Sequence, residues 1–187
     1  MAVQFVSPPP AVLSSYQQSL VDFLGPHDPE ILLYHLPVGT LGLAELANGA
    51  TLADIVPTGW RMFASWPDGT WTSCEMTNPT LYAQAEFRNF VQGDFAALAF
   101  ARIIAAQALE ALQSVDYQLQ FLSVPGIYLE ALHLVCQGQG IDLILPVLSF
   151  DPQLGTGAVF NASDFLATAR AIATARVALT SSSPLSS

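Results

Sequence analysis

Residues 116–150, DYQLQFLSVPGIYLEALHLVCQGQGIDLILPVLSF, hold three runs of strand character. Pro125-Gly126 separates the first two, and Gln137-Gly138-Gln139-Gly140 separates the last two. Side chains alternate along a strand. In the middle run Ile127, Leu129, Ala131 and Val135 therefore share one face, and Tyr128, Leu132, Leu134 and Cys136 share the other. A strand apolar on both faces is covered on both, so this run is expected at the centre of the core. In the first run Tyr117, Leu119 and Phe121 lie opposite Gln118 and Gln120, which predicts a wetter side. Pro146 interrupts the third run and pushes it towards a sheet edge.

Asp68-Gly69 lies between Trp60–Trp66 and Thr70–Thr77 and is a strong hairpin signal. A two-residue turn pairs Trp66 with Trp71, Ala64 with Ser73 and Met62 with Glu75. Ile31–Leu36 reads as a short strand closed by Pro37. Residues 12–24 carry apolar side chains at helical spacing and end at Gly25-Pro26. Short helical pieces are expected within 41–56. A helix is expected over 81–91 and another over 95–113 behind Asp94 as its N-cap. The second should carry one narrow wet stripe, formed by Arg102, Gln107, Glu110 and Gln113. Asn161 stands three residues before Asp164, a capping pattern for a last helix over 162–179. Residues 1–10 read as an extended arm ending in three prolines, and 180–187 as a mobile tail.

The chain of 187 residues suits a single domain, 1–187. Only 11% of its residues are charged, against roughly 25% in ordinary soluble domains. The formal charge is −10 with no basic cluster, which argues against nucleic acid as a partner. All five basic residues are arginines. The lysine-free composition removes the P-loop lysine and Schiff-base chemistry. The apolar window 95–112 contains Arg102, Gln107 and Glu110, which are costly in a bilayer, so no membrane span is expected. MAVQFVSPPP lacks the features of a secretory signal, and a cytoplasmic location is expected.

No HExxH, CxxC, GxSxG or Walker motif occurs. Gly155-Thr156-Gly157 starts like a dinucleotide loop, but Phe160 takes the place of the third glycine. Neither a cofactor nor a metal is implied, and no catalytic residue is assigned. Cys74 and Cys136 read as free thiols. His27, His35 and His133 lack ligand spacing, and Glu130 and His133 have opposite strand parity. Glu130, among Tyr128, Leu132 and Leu134, is the candidate buried acid; it needs a raised pKa or a partner such as Arg61 or Arg102.

These readings converge on an α+β fold: an antiparallel or mixed sheet of about five strands with two principal helices packed on it. The sparse charge and abundant apolar residues point to a non-enzymatic interaction or structural protein. It is expected to act within a homo-oligomer or permanent complex, with other protein, self or non-self, as partner. Trp60, Trp66 and Trp71 form the candidate interface. The rival readings are a small-molecule binding module with an apolar pocket, and an enzyme using Glu130 as acid or base.

Overall fold

The structure is a computed structural model that describes residues 3–24, 31–77, 85–112 and 115–181. Helix α1 (Pro10–Leu24) leads into β1 (Ile31–Thr40), a short α2 (Leu43–Ala47), β2 (Pro57–Ser65), β3 (Trp71–Thr77) and β4 (Phe87–Gln92). Then follow α3 (Asp94–Leu112), β5 (Tyr117–Val124), β6 (Leu129–Cys136), β7 (Leu143–Ser149), β8 (Phe160–Asn161) and α4 (Ala162–Ser181). The fold is α+β, built on one mixed sheet of eight strands in the order β4-β3-β2-β1-β5-β6-β7-β8.

The sheet consists of two antiparallel meanders joined at one parallel seam. That seam is short: Val38, Gly39 and Thr40 of β1 pair with Phe121, Leu122 and Ser123 of β5. Where β1 leaves β5, the N-terminal arm takes its place. Gln4 bridges Gln118 in parallel; its amide donates to the Tyr117 carbonyl at 2.9 Å, and its carbonyl accepts from the Leu119 amide at 3.2 Å. The extended arm thus satisfies backbone groups of β5 that the seam leaves open.

Among the described residues the buried apolar side chains form three clusters. On one face Ala99, Ile103 and Ala106 of α3 pack over Phe63, Phe121, Leu132, Leu134 and Val147. On the other, Phe165, Leu166, Ala169 and Ile172 of α4 cover Leu122, Leu129, Ala131 and Ile144. Strand β6 is therefore sandwiched between α3 and α4, as its two apolar faces require. Beside α4, Val12, Tyr16 and Leu20 of α1 cover Trp60, Met62, Cys74 and Met76.

The β2–β3 hairpin forms at the expected place with a different register. Ser65 pairs with Trp71, and Arg61 pairs with Glu75. The Trp66 amide donates to the Thr70 carbonyl, and the Gly69 amide donates to the Trp66 carbonyl, each at 2.9 Å. The loop thus holds three residues, Pro67, Asp68 and Gly69, with Gly69 at φ +84°. Pro67 is suited to the second position of a type I turn, and Gly69 supplies the left-handed residue that follows it. A two-residue type I′ turn needs positive φ at Asp68 as well. The longer loop displaces every expected cross-strand pair by one residue.

Other elements also depart from the sequence reading. Among the described residues the sheet has eight strands, not about five. Residues 87–91, expected in a helix, fall in edge strand β4, which pairs with β3, while 81–84 lie outside the described residues. Phe87, Phe90 and Val91 suit a pleated ladder, and the pairing offered by β3 overrides a weak helical spacing. Strand β1 runs through Pro37 to Thr40, opposite Trp60 and Gly59. The side chains exposed on α3 include Leu98, Ala101, Ile104 and Ala108, whereas Arg102 and Gln107 are half-buried. The side chains of Glu110 and Gln113 lie outside the described residues, as does the Gly25-Pro26 stop of α1. Of the expected tail, Thr180 and Ser181 continue α4, and 182–187 lie outside the described residues.

Candidate functional site

The one-residue change of register places a cation and an anion face to face. Arg61 on β2 is 2% exposed, and its Nη2 lies 2.8 Å from Oε2 of Glu75 on β3. The guanidinium stands 4.8 Å from the centre of the Phe121 ring on β5, so it reaches over β1. The same Nη2 lies 3.5 Å from Oε1 of Glu130 on β6. The outer oxygen of Glu75 is 3.8 Å from Nη1 of Arg88, whose side chain is 40% exposed.

This triad is incompletely bonded. Glu130 keeps 23% of its side-chain surface, yet its Oε2 is buried with no hydrogen-bond partner, as is the Arg61 Nε. Burial pushes the Glu130 carboxyl above the usual glutamate range; the Arg61 charge opposes the rise and the Glu75 charge adds to it.

Three cavities that share lining residues lie between the triad and Arg176. One cavity of about 200 Å³ is lined by Arg61, Asn89, Val91, Phe95, Glu130 and Leu148. A second, of about 300 Å³, shares Glu130 and Leu148 and extends to Ser123, Tyr128 and Phe150. A third, of about 310 Å³, is walled by Tyr128, Phe150 and Arg176. Leu148 stands opposite Glu130 because a bulge in β7 interrupts the register after Pro146.

The end beside Arg176 is aromatic. Tyr128 is 61% exposed and Phe150 is 71% exposed, with their rings edge to face at 5.9 Å. Arg176 on α4 stands 5.0 Å from the Tyr128 ring centre and donates to the Gly126 carbonyl at 3.1 Å. Tyr128 has φ +52° and follows a single turn of 3₁₀ helix over Pro125–Ile127. Among the described residues it alone has positive φ without being glycine. A bulky side chain in that region is strained.

No family model, curated protein or solved structure matches this chain.

The other residues singled out in the sequence lie elsewhere. Trp60 is buried at 7% exposure under α1. Trp66 and Trp71 are half-buried, and Trp71 stacks on Phe100 of α3 at 3.9 Å. His133 faces away from Glu130, towards α4; its Nε2 is 2.8 Å from Oδ2 of Asp142. Asp142 also accepts from the Cys136 amide at 2.9 Å, which clamps the Gln137–Ile141 loop. Burial would raise the Asp142 carboxyl, but these two hydrogen bonds hold it below the usual range. His35 shares the opposite sheet face with Met62. Cys74 and Cys136 are free; burial pushes the Cys74 thiol up to about 12, so it is inert at neutral pH. Arg102 lies beside Gly157 in the glycine loop.

Among the described residues no group of three or more histidine, cysteine or acidic side chains could hold a metal ion, and no helix is long and apolar enough to cross a membrane. Sequence reasoning named Glu130 and Arg61 but missed Glu75, because the expected register placed Met62 opposite it. It also missed Phe150 and Arg176. The Phe150 signal was there: a large aromatic directly before a Pro-Gly-rich loop, where it has no strand neighbour to cover it.

Proposed function

We propose that this chain is a non-enzymatic interaction protein that works inside a homo-oligomer or a permanent complex. Its docking surface is Tyr128, Phe150 and Arg176. The observation that carries this reading is the pair of exposed, mutually packed aromatic rings, one of them held on a strained backbone. Tyrosine and arginine dominate binding hot spots. Strain that folding alone does not require is kept where function uses the geometry. Cavities on both sides of the rings offer places for partner side chains. The exposed apolar side of α3, with Leu98 at 39% and Ile104 at 44%, supports association of a second kind, between copies.

The test is a comparison of the wild type with Phe150→Ser and Leu98→Ser by light scattering on a size-exclusion column, and by cross-linking in cell extract. The wild type is expected as a stable assembly. Phe150→Ser should lose the cross-linked partner, and Leu98→Ser should lower the mass. A wild-type monomer that cross-links to nothing overturns the reading.

A second reading rests on a separate observation. Glu130 has a raised pKa and lines one cavity together with Arg61, the arrangement of a small-ligand site or of a carboxyl acid. It ranks below the first because neither described histidine, His35 or His133, faces the carboxyl.

A further inference from the structure

Two of the cavities meet at Tyr128 and Phe150, and the one that reaches Arg176 has the chemistry of a ligand site. Its walls are two aromatic rings and one guanidinium around about 310 Å³. Small-molecule sites are built this way, mostly apolar with a few fixed polar groups, and the volume falls at the lower end of their range.

Charge selects the ligand. Arg61 and Arg88 both stand against Glu75, and Arg61 also faces Glu130, so these two cations and two anions cancel. Outside that group, Arg176 is the one charged residue that lines the three cavities. Among the described residues it makes no ion pair, although the chain has 15 acidic residues. Asp151, next to Phe150, turns its Oδ1 to the Gln153 amide instead, at 2.9 Å. The overall charge of −10 opposes an anion at long range, but salt screens that field over about 10 Å, so the local cation decides.

The Arg176 guanidinium is fixed without being used up. Its Nη1 donates to the Gly126 carbonyl at 3.1 Å, and the group stands 5.0 Å from the centre of the Tyr128 ring. A guanidinium has five N–H donors. Buried nitrogens without a partner occur at Nε of Arg61, Arg102 and Arg170 but not in Arg176, so its remaining donors reach solvent. A fork held in this way matches a carboxylate. The backbone at φ +52° holds the Tyr128 ring beside it.

We propose that Tyr128, Phe150 and Arg176 bind a small aromatic carboxylic acid, with the carboxylate on the Arg176 guanidinium and the ring against Tyr128 and Phe150. The site shares residues with the docking surface but needs no partner protein.

The test titrates the full chain, by isothermal titration calorimetry near pH 7, with 1-naphthaleneacetate and with 1-naphthaleneacetamide, which keeps the ring and loses the charge. The acid should bind at least about tenfold more tightly than the amide, as expected for charge-assisted hydrogen bonds to a guanidinium. Arg176→Gln should remove most of that preference, and Phe150→Ser should weaken both probes. Equal affinity for acid and amide, no binding of either, or a preference that survives Arg176→Gln would overturn the proposal. Circular dichroism shows whether each variant folds. Should Arg176→Gln fail to fold, the acid-to-amide ratio in the wild type and its weakening in Phe150→Ser decide the matter. A chain that binds neither probe yet keeps its cross-linked partner would leave the docking surface standing.

Discussion

Arg61 and Glu75 face each other across the β2–β3 ladder at 2.8 Å, and the same guanidinium nitrogen turns 3.5 Å to Glu130 on the other side of the parallel seam. One side chain therefore ties the two meanders of the sheet together at the point where their backbones share three residue pairs. The pairing is also what keeps two half-buried carboxylates from repelling each other.

Removing the two ends of this contact should therefore have unequal effects. Arg61→Met leaves Glu75 and Glu130 without their buried cation and should cost roughly 3–5 kcal/mol. Glu130→Gln keeps the Arg61–Glu75 pair and removes a poorly solvated charge, so stability at pH 7 should stay within about 1 kcal/mol of wild type. Urea denaturation of the two variants checks this; equal losses would show that Glu130, not Glu75, holds the arginine.

The pH dependence of that comparison has a definite sign. The Glu130 pKa is raised by burial, so the folded state binds its proton more tightly than the unfolded chain does. The ionised form costs stability at every pH above the raised value. That cost shrinks as pH falls through the raised pKa and is gone below about pH 4, where the unfolded chain is protonated too. Wild type should therefore gain stability relative to Glu130→Gln on acidification from pH 7 towards 4. A relative loss over that window would mean that ion pairing outweighs burial.

Gly69→Val tests the turn. With φ at +84°, the position resists a β-branched side chain, and about 1–3 kcal/mol of stability should be lost. Gly69→Asn should lose much less, because asparagine tolerates the left-handed region. Thermal melts of the two variants give the comparison, and equal losses would place the cost outside the backbone.

Tyr128→Gly addresses strain kept for a purpose. Glycine takes φ +52° freely, which relieves strain, but it adds freedom to the unfolded chain and removes the Arg176 contact. These effects nearly offset, so stability should change by no more than about 1 kcal/mol. Docking beside Phe150 and Arg176 should nonetheless fail. A variant that binds normally would reduce Tyr128 to a turn residue.

Deletion of residues 1–9 should destabilise the fold without removing any strand. It uncovers the Tyr117 carbonyl and the Leu119 amide and removes Val3 from the core under α3. The Phe5–Tyr34 ring contact, at 5.0 Å between centres, is lost as well. A loss of roughly 2–4 kcal/mol is expected from one buried aliphatic side chain and two backbone hydrogen bonds. Faster hydrogen exchange confined to the β5 amides near 119 would locate the effect.

What the sequence determined by itself was local. Alternation over 129–136 placed β6 between two covered faces, because strand parity depends only on the chain's own order. Asp68-Gly69 marked a hairpin, because turn residues act within a few bonds. Asn161 and Asp164 announced the start of α4, where the Asp164 amide donates to Asn161 Oδ1 at 2.8 Å. What only the tertiary structure decided was the pairing between distant segments. Pro67 lengthened the loop by one residue and so put Arg61, not Met62, opposite Glu75. Strand β4 formed because β3 offered it a ladder, against its own spacing. Glu130 and Phe150 came to line one cavity, and Phe150 and Arg176 another, because distant parts of the chain meet at Tyr128, and adjacency of that kind is set by the burial of the whole sheet, which no single stretch of residues encodes.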